Sequence, residues 1–468
     1  MDQFTETLTL IADTLCGYPL FILLIGGGLF LFFFSGMVPL RLFGAAIDTI
    51  RFRTSQQGSG QISSVEALAS VVAATIGMGN IAGVAIALVL GGPGAIFWMW
   101  VSALVGMSTK YHEGVLAIKY KGRDRDGNPQ GGTMHIIEQG LGRRWRPLAV
   151  TFAVAGMLGT LCILNANQIT EALANAVTAR VPDAVKFVDN IAVAVGVNAD
   201  VTLDLIIGLI IAAIVATVVL GGIKRIASVA SRLVPIMVAL YFILVAYIIT
   251  THITELPDAV ASIFSGAFSL EAGWGALAGI AIIGARRAAF VNDAGIGTAT
   301  LIHGQSRNND PAREGLVAML GPSIDSGLVC TLTAFALLLT GDFPSGGDVK
   351  GLEVAMDAFR GALPAGDMLL LAVLVCFALS SMFSYSFYGY SCACYLWGAR
   401  RARYYTYFFI ASLVLFAVVP LKAAVGMCDL FYALMAFPTM FTLIMLRHKV
   451  REETARLLAS LRCVARPA

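Results

Sequence analysis

Apolar runs of about the length that crosses a bilayer recur along the chain, separated by short polar stretches. A spanning helix needs about 20 mainly apolar residues. Eleven runs meet that need, near residues 18–40, 64–90, 93–118, 148–178, 201–221, 233–251, 274–290, 314–341, 367–398, 404–421 and 426–446. The pattern predicts an all-α integral membrane protein with eleven transmembrane helices. Asp2, Glu6 and Asp13 precede the first run, with no Lys or Arg among them. A signal peptide has a basic leading region, so this run is expected to be a retained helix.

The positions of the basic residues give the orientation. Alternate loops hold Arg41, Arg51 and Arg53, the run from Lys119 to Arg146, and Lys224, Arg225 and Arg232. They continue with Arg286, Arg287, Arg307 and Arg313, then Arg400, Arg401 and Arg403, and the tail from Arg447. The opposite loops hold only Arg180, Lys186, Lys350, Arg360 and Lys422. Because cytoplasmic loops carry the excess of Lys and Arg, the N-terminus is expected outside and the C-terminus in the cytoplasm of a bacterial-type inner membrane.

Composition agrees. Hydrophobic residues make up 58% and charged residues 13% of the 468, against about 45–50% and about 25% in soluble domains. A net charge of +3 does not point to nucleic acid. The eight Cys are scattered without a CxxC pair, and there is neither an HExxH nor a Walker A motif. No enzyme and no ATP-driven motor is expected.

Two runs are interrupted by glycines. The second contains Thr75-Ile76-Gly77-Met78-Gly79-Asn80, followed by Gly83. The seventh opens on Gly273-Trp274-Gly275, with Gly279 and Gly284 following. With the first helix set aside, these lead two sets of five helices, which must have opposite orientation because five is odd. Inverted repeats led by broken helices describe a secondary transporter with its site at the midplane. A break frees N–H groups that favour a carboxylate and carbonyls that suit Na⁺. The alternative reading of such glycines is close helix packing.

Polar residues at membrane depth are the next candidates. Asp325 lies within the eighth run. Asn165, Asn167, Gln168 and Glu171 crowd the fourth, and Ser380, Ser381, Ser384 and Ser386 the ninth. Lys110 and Glu113, three apart in the third run, are expected to form an i,i+3 ion pair.

The segments Gly91-Gly92-Pro93-Gly94-Ala95-Ile96-Phe97-Trp98-Met99-Trp100 and Gly77-Met78-Gly79-Asn80-Ile81-Ala82-Gly83-Val84-Ala85 resemble signatures of the alanine or glycine:cation symporter family. Further matches are Gly221-Gly222-Ile223-Lys224-Arg225, Ile324-Asp325 leading into Cys330-Thr331-Leu332-Thr333, and Tyr388-Gly389. The likeness runs from about residue 60 to 445. It implies a leucine-transporter-type 5+5 inverted repeat preceded by one extra N-terminal helix. Met78, Tyr385, Tyr390 and the segment Val291-Asn292-Asp293-Ala294-Gly295 depart from the family pattern and mark a divergent member.

The resemblance implies substrate contacts at Thr75, Gly77, Met78, Gly79, Asn80, Gln168, Trp274 and Tyr385. It implies a Na⁺ site at Ala73, Ile76, Phe377, Ser380 and Ser381, with Asp325 as a further functional residue. The expected organisation is an N-terminal helix and linker over 1–61, repeats over 62–251 and 252–446, and a basic cytoplasmic tail over 447–468. The expected function is import of a small neutral amino acid, alanine or glycine in type, coupled to Na⁺. The alternatives are a different amino acid, coupling to H⁺, or an amino-acid sensor that does not transport. The partners expected are the amino acid and the lipid bilayer, with no nucleic acid. Neither the particular amino acid nor the oligomeric state is legible in the residues.

Overall fold

A computed structural model of the chain describes residues 18–51, 60–124, 127–268, 273–341 and 351–464. The main helices are α1 (Gly27–Phe34), α2 (Ser64–Thr75), α3 (Val84–Gly91), α4 (Gly94–Lys119), α5 (Arg146–Gly159), α6 (Ile163–Arg180), α7 (Ala199–Val219) and α8 (Gly222–Thr251). They continue with α9 (Gly273–Asn292), α10 (Thr298–His303), α11 (Pro311–Ala318), α12 (Cys330–Thr340), α13 (Gly366–Trp397), α14 (Ala399–Ala417), α15 (Leu421–Met445) and α16 (Arg447–Val464). A two-stranded antiparallel hairpin pairs Gly122 with Gln130 and Arg123 with Pro129.

Among the described residues, six helices are long and apolar enough to cross a bilayer, and residues 64–91 add a seventh if the bent pair counts as one span. The other expected runs are helical but shorter or more polar. α4 carries Lys110, His112 and Glu113, α9 carries Arg286 and Arg287, and α14 opens on Arg400 and Arg401. The buried apolar core runs through the whole bundle, while Leu209, Ile210, Phe242, Ile243 and other large apolar side chains face outward. An apolar exterior of that kind suits lipid.

α2 starts on a capping box. The Ser63 hydroxyl accepts the Glu66 N–H, and the Ser63 N–H donates to Glu66 Oε2 at 2.7 Å. The segment before it is fastened to the chain after α10. The Gln61 N–H donates to the Gln305 carbonyl at 2.8 Å, and the Arg307 N–H to the Ile62 carbonyl at 2.8 Å. Beneath this bridge lies a fully buried polar cluster. Glu314 Oε2 accepts from the Ser64 hydroxyl at 2.5 Å and from Ser306 at 3.0 Å, and Glu314 Oε1 lies 2.7 Å from His303 Nδ1. These bonds tie the start of α2 to α10 and α11 at the end of the bundle where Lys121 and Arg123 lie. A cavity of about 500 Å³ opens beside the bridge, lined by Gln61, Gln305, Ser386, Tyr390 and Arg403 among others.

α4 is the helix against which the second half packs, meeting α9 and α11 along much of its length. Its first residue shows how closely. A Cβ on Gly94 would stand 2.3 Å from the backbone carbon of Gly266, and backbone cannot rotate away. Gly94→Ala is therefore expected to destabilise the fold by about 1–3 kcal/mol through overpacking, seen as a lower melting temperature in detergent.

The hairpin is anchored by Gln130. Its Nε2 donates to the Ser391 carbonyl at 2.7 Å, and its Oε1 lies 3.0 Å from His135 Nε2. Burial pushes the His135 imidazole down to about 4. The unfolded chain, with His near 6.5, then binds the extra proton between about pH 6.5 and 4. Stability falls as pH falls through that window. A His135→Gln variant is expected to flatten the decline in melting temperature between pH 7 and 4.

Candidate functional site

The first break lies where the glycines place it. α2 ends as the Ile76 N–H donates to the Val72 carbonyl at 2.8 Å and Ile76 turns extended, with ψ 98°. The chain coils again from Gly79, and the two halves are bent by 59°. Gly77 is needed for space: a Cβ there would stand 3.0 Å from Ser381 Oγ and 3.6 Å from Asn165 Oδ1. Asn80 spans the gap. Its Oδ1 accepts the Gly77 N–H at 2.9 Å, and its Nδ2 donates to Asp325 Oδ1 and to Cys330 Sγ at 3.6 Å. The Gly77 N–H, expected to stand bare for a substrate carboxylate, is thus satisfied internally. Asp325 is fully buried in a wide helical turn over Ser323–Val329, and Thr75 is its neighbour. The Met78 side chain is fully buried.

The second break is not where the sequence reading put it. Residues 273–292 form one unbroken helix, α9, through Gly273, Gly275, Gly279 and Gly284. Gly284 serves packing instead, since a Cβ there would meet the Ala95 carbonyl oxygen at 2.2 Å. The interruption follows at 293–297, where Asp293, Gly295 and Gly297 have φ of 52°, 87° and 93°. Left-handed residues in such succession cannot continue a right-handed helix. The side chain of Trp274 lies outside the described residues.

Around this second break the side chains are polar and buried. The Tyr385 hydroxyl donates to Asp293 Oδ2 at 2.5 Å, and the Thr298 hydroxyl does so at 3.3 Å. Tyr432 donates to the Tyr385 hydroxyl at 2.8 Å. Asn292 Nδ2 donates to the Ser326 hydroxyl at 3.4 Å, linking this break to the segment that holds Asp325. Glu113 Oε1 accepts the Gly295 N–H at 2.8 Å. The expected ion pair between Lys110 and Glu113 is not formed: Lys110 Nζ is buried and has no hydrogen-bond partner among the described residues. The spacing puts both on one face of α4, but Glu113 reaches across to a peptide N–H in the second break.

Beside the first break, five oxygens converge. Ser380 Oγ donates to the Ala73 carbonyl at 3.1 Å and the Phe377 carbonyl at 2.9 Å. Ser381 Oγ lies 3.3 Å from the Ala73 carbonyl, 3.4 Å from that of Ile76 and 3.1 Å from that of Phe377. All five residues expected to hold Na⁺ thus meet at one buried place. A set of hard oxygens fits a hard cation, provided each hydroxyl turns its hydrogen away.

The remaining candidates separate. Gln168 Oε1 has no hydrogen-bond partner. Asn167 Nδ2 is used structurally, donating to the Val419 carbonyl at 2.5 Å. Ser386 bonds back to the Phe383 carbonyl at 2.6 Å. Sequence reasoning gave Glu113 only an ion pair with Lys110, left Asp293 as a departure from the family pattern, and did not single out Thr298 or Tyr432. The signal for the second break was Asn292-Asp293 followed by Gly295 and Gly297 in an apolar setting.

Residues 1–463 match the sodium:alanine symporter family. The chain belongs to that family. It is 36% identical over 458 residues to the sodium/alanine symporter AgcS of Methanococcus maripaludis, covering 97% of each chain. It is 31% identical over 462 residues to the amino-acid carrier protein AlsT of Bacillus subtilis, covering 97% of this chain and 93% of that one. The probable sodium/glutamine symporter GlnT of Bacillus subtilis is 29% identical over 455 residues, with 95% and 89% covered. The crystal structure of MhsT in complex with L-phenylalanine superposes with a TM-score of 0.53 at 16% identity, covering 84% of this chain and 99% of that one. That likeness gives the fold, which is of the leucine-transporter type. A sodium:alanine symporter family member is a multi-pass transporter and not an enzyme, as the composition led one to expect.

Proposed function

We propose that this chain imports a small neutral amino acid, alanine or glycine in type, across the inner membrane together with Na⁺. The convergence of the Ala73, Ile76 and Phe377 carbonyls with the Ser380 and Ser381 hydroxyls carries this reading. Na⁺ held there would tie the end of α2 to α13. The amino acid would lie between the two breaks, its carboxylate toward Met78 and Gly79, near Gln168 and Tyr385. Asn80 and Asp325 support the break from behind. The segments 1–61, 62–251, 252–446 and 447–468 would then be an extra N-terminal helix with its cytoplasmic linker, two mirrored repeats and a cytoplasmic tail, with the N-terminus outside.

Each charge that crosses is worth about 2.3 kcal/mol per 100 mV. The gradients couple only if Na⁺ raises amino-acid affinity in the outward-facing state, and linkage makes that effect reciprocal. A neutral amino acid with an amide side chain is the second reading, favoured by the name of the GlnT relative and by the unpartnered Gln168 Oε1.

Two variants test the assignment in proteoliposome counterflow with a panel of amino acids, with and without Na⁺. Ser380→Ala with Ser381→Ala is expected to raise the Na⁺ concentration for half-maximal uptake at least tenfold. Asn80→Ala is expected to abolish uptake while the protein still inserts. Normal Na⁺ dependence in the first, or normal uptake in the second, would overturn the site. Uptake driven by a pH gradient without Na⁺ would move the coupling to H⁺.

A further inference from the structure

Two breaks give two sets of freed peptide N–H groups, and both attract anions. An amino acid has one carboxylate. Something must decide which set receives it.

The two sets are filled differently. At the first break the Gly77 N–H meets the neutral amide oxygen of Asn80 at 2.9 Å. At the second the Gly295 N–H meets the carboxylate of Glu113 at 2.8 Å, and the Gly297 N–H faces the same carboxylate. Glu113 is fully buried, so its charge needs compensation within the protein. Lys110, one turn earlier on α4, is also fully buried, and its Nζ has no hydrogen-bond partner. It interacts electrostatically with the carboxylates of Glu113, Asp293 and Asp325, without a direct ion pair to any of them among the described residues. One cation thus stands among three acids, with the Glu113 carboxylate resting on peptide N–H groups.

We propose that Glu113 is a specificity-determining residue, a resident anion that occupies the second break so that an amino-acid carboxylate enters only at the first, with Lys110 as its counter-cation. This rests on the amino-acid symport reading above. Glu113 acts by excluding the wrong pose rather than by gripping the substrate. Its loss would admit the amino acid in a reversed, unproductive orientation. Unproductive binding lowers the maximal rate and the apparent KM together. A residue that merely staples the break would not produce that pattern.

The test uses full-length protein in proteoliposomes. Glu113→Gln keeps an oxygen that can accept from the Gly295 N–H and removes the charge. Na⁺-dependent alanine uptake is expected to fall about tenfold in both maximal rate and KM. Propionate, which has the carboxylate without the ammonium, should not compete against the wild type. It should compete in Glu113→Gln, where the Gly295 N–H and the Lys110 ammonium no longer share that carboxylate, and stop competing in the double variant Lys110→Met/Glu113→Gln. A folded Glu113→Gln with wild-type kinetics and no propionate competition overturns the proposal, as does a fall in rate alone. If Glu113→Gln does not fold, Lys110→Met is read instead. Removing the counter-cation weakens the hold on the resident anion, so rate and KM are again expected to fall together; unchanged kinetics overturn the proposal. Absence of Na⁺-dependent uptake of every amino acid in the panel by the wild type would sink the symport reading itself, a result distinct from any of these.

Discussion

A peptide group inside a bilayer has no water to bond with. Any break in a helix there must be matched group by group from elsewhere in the protein, and the interior of this bundle is organised around two such breaks. At the first, a side-chain amide takes one freed N–H and two serine hydroxyls attend the carbonyls left by the end of α2. At the second, a glutamate takes a freed N–H and an aspartate gathers hydroxyls from Thr298 and Tyr385. The breaks therefore dictate where the buried polar residues of α4, α13 and the 323–329 turn must lie.

The same constraint explains the buried charges. Lys110, Glu113, Asp293 and Asp325 are each almost wholly removed from solvent. Ionisable groups at such depth are expensive, and they persist where they have partners or a task. Asp325 has Asn80, Asp293 has Tyr385, and Glu113 has Gly295. Only Lys110 reaches its partners through space rather than through a hydrogen bond.

Much of this was legible in the residues and part was not. The first break could be read because Gly77, Gly79 and Asn80 stand together in an otherwise apolar run. The five residues expected to hold Na⁺ follow from the register of the family resemblance, and their carbonyls and hydroxyls lie together. The second break was misplaced because glycine serves two purposes in membrane helices. Gly284 lets α9 approach Ala95, whereas Gly295 and Gly297 adopt left-handed geometry, and spacing alone does not separate these uses. Glu113 was misjudged for a related reason. Helical periodicity says which face of α4 it occupies, but nothing about a peptide N–H 182 residues further along the chain.

The short helix α2 joins these observations into a mechanism. Its 12 residues make a rod of about 18 Å at 1.5 Å per residue. One end is fastened by the bridge from Gln61 and Ile62 to Gln305 and Arg307, and by Ser64 on Glu314. The other end supplies the Ala73 and Ile76 carbonyls, which face Ser380 and Ser381. A rod held at both ends moves only when both fastenings yield. An ion leaving the carbonyl end would loosen one of them and leave only the polar bridge to hold the opposite end. The 500 Å³ cavity borders Gln61 and Gln305, so parting that bridge would change its wall. If Na⁺ is held at those carbonyls as proposed, its release and the loosening of the opposite end would be two consequences of displacing one rigid element.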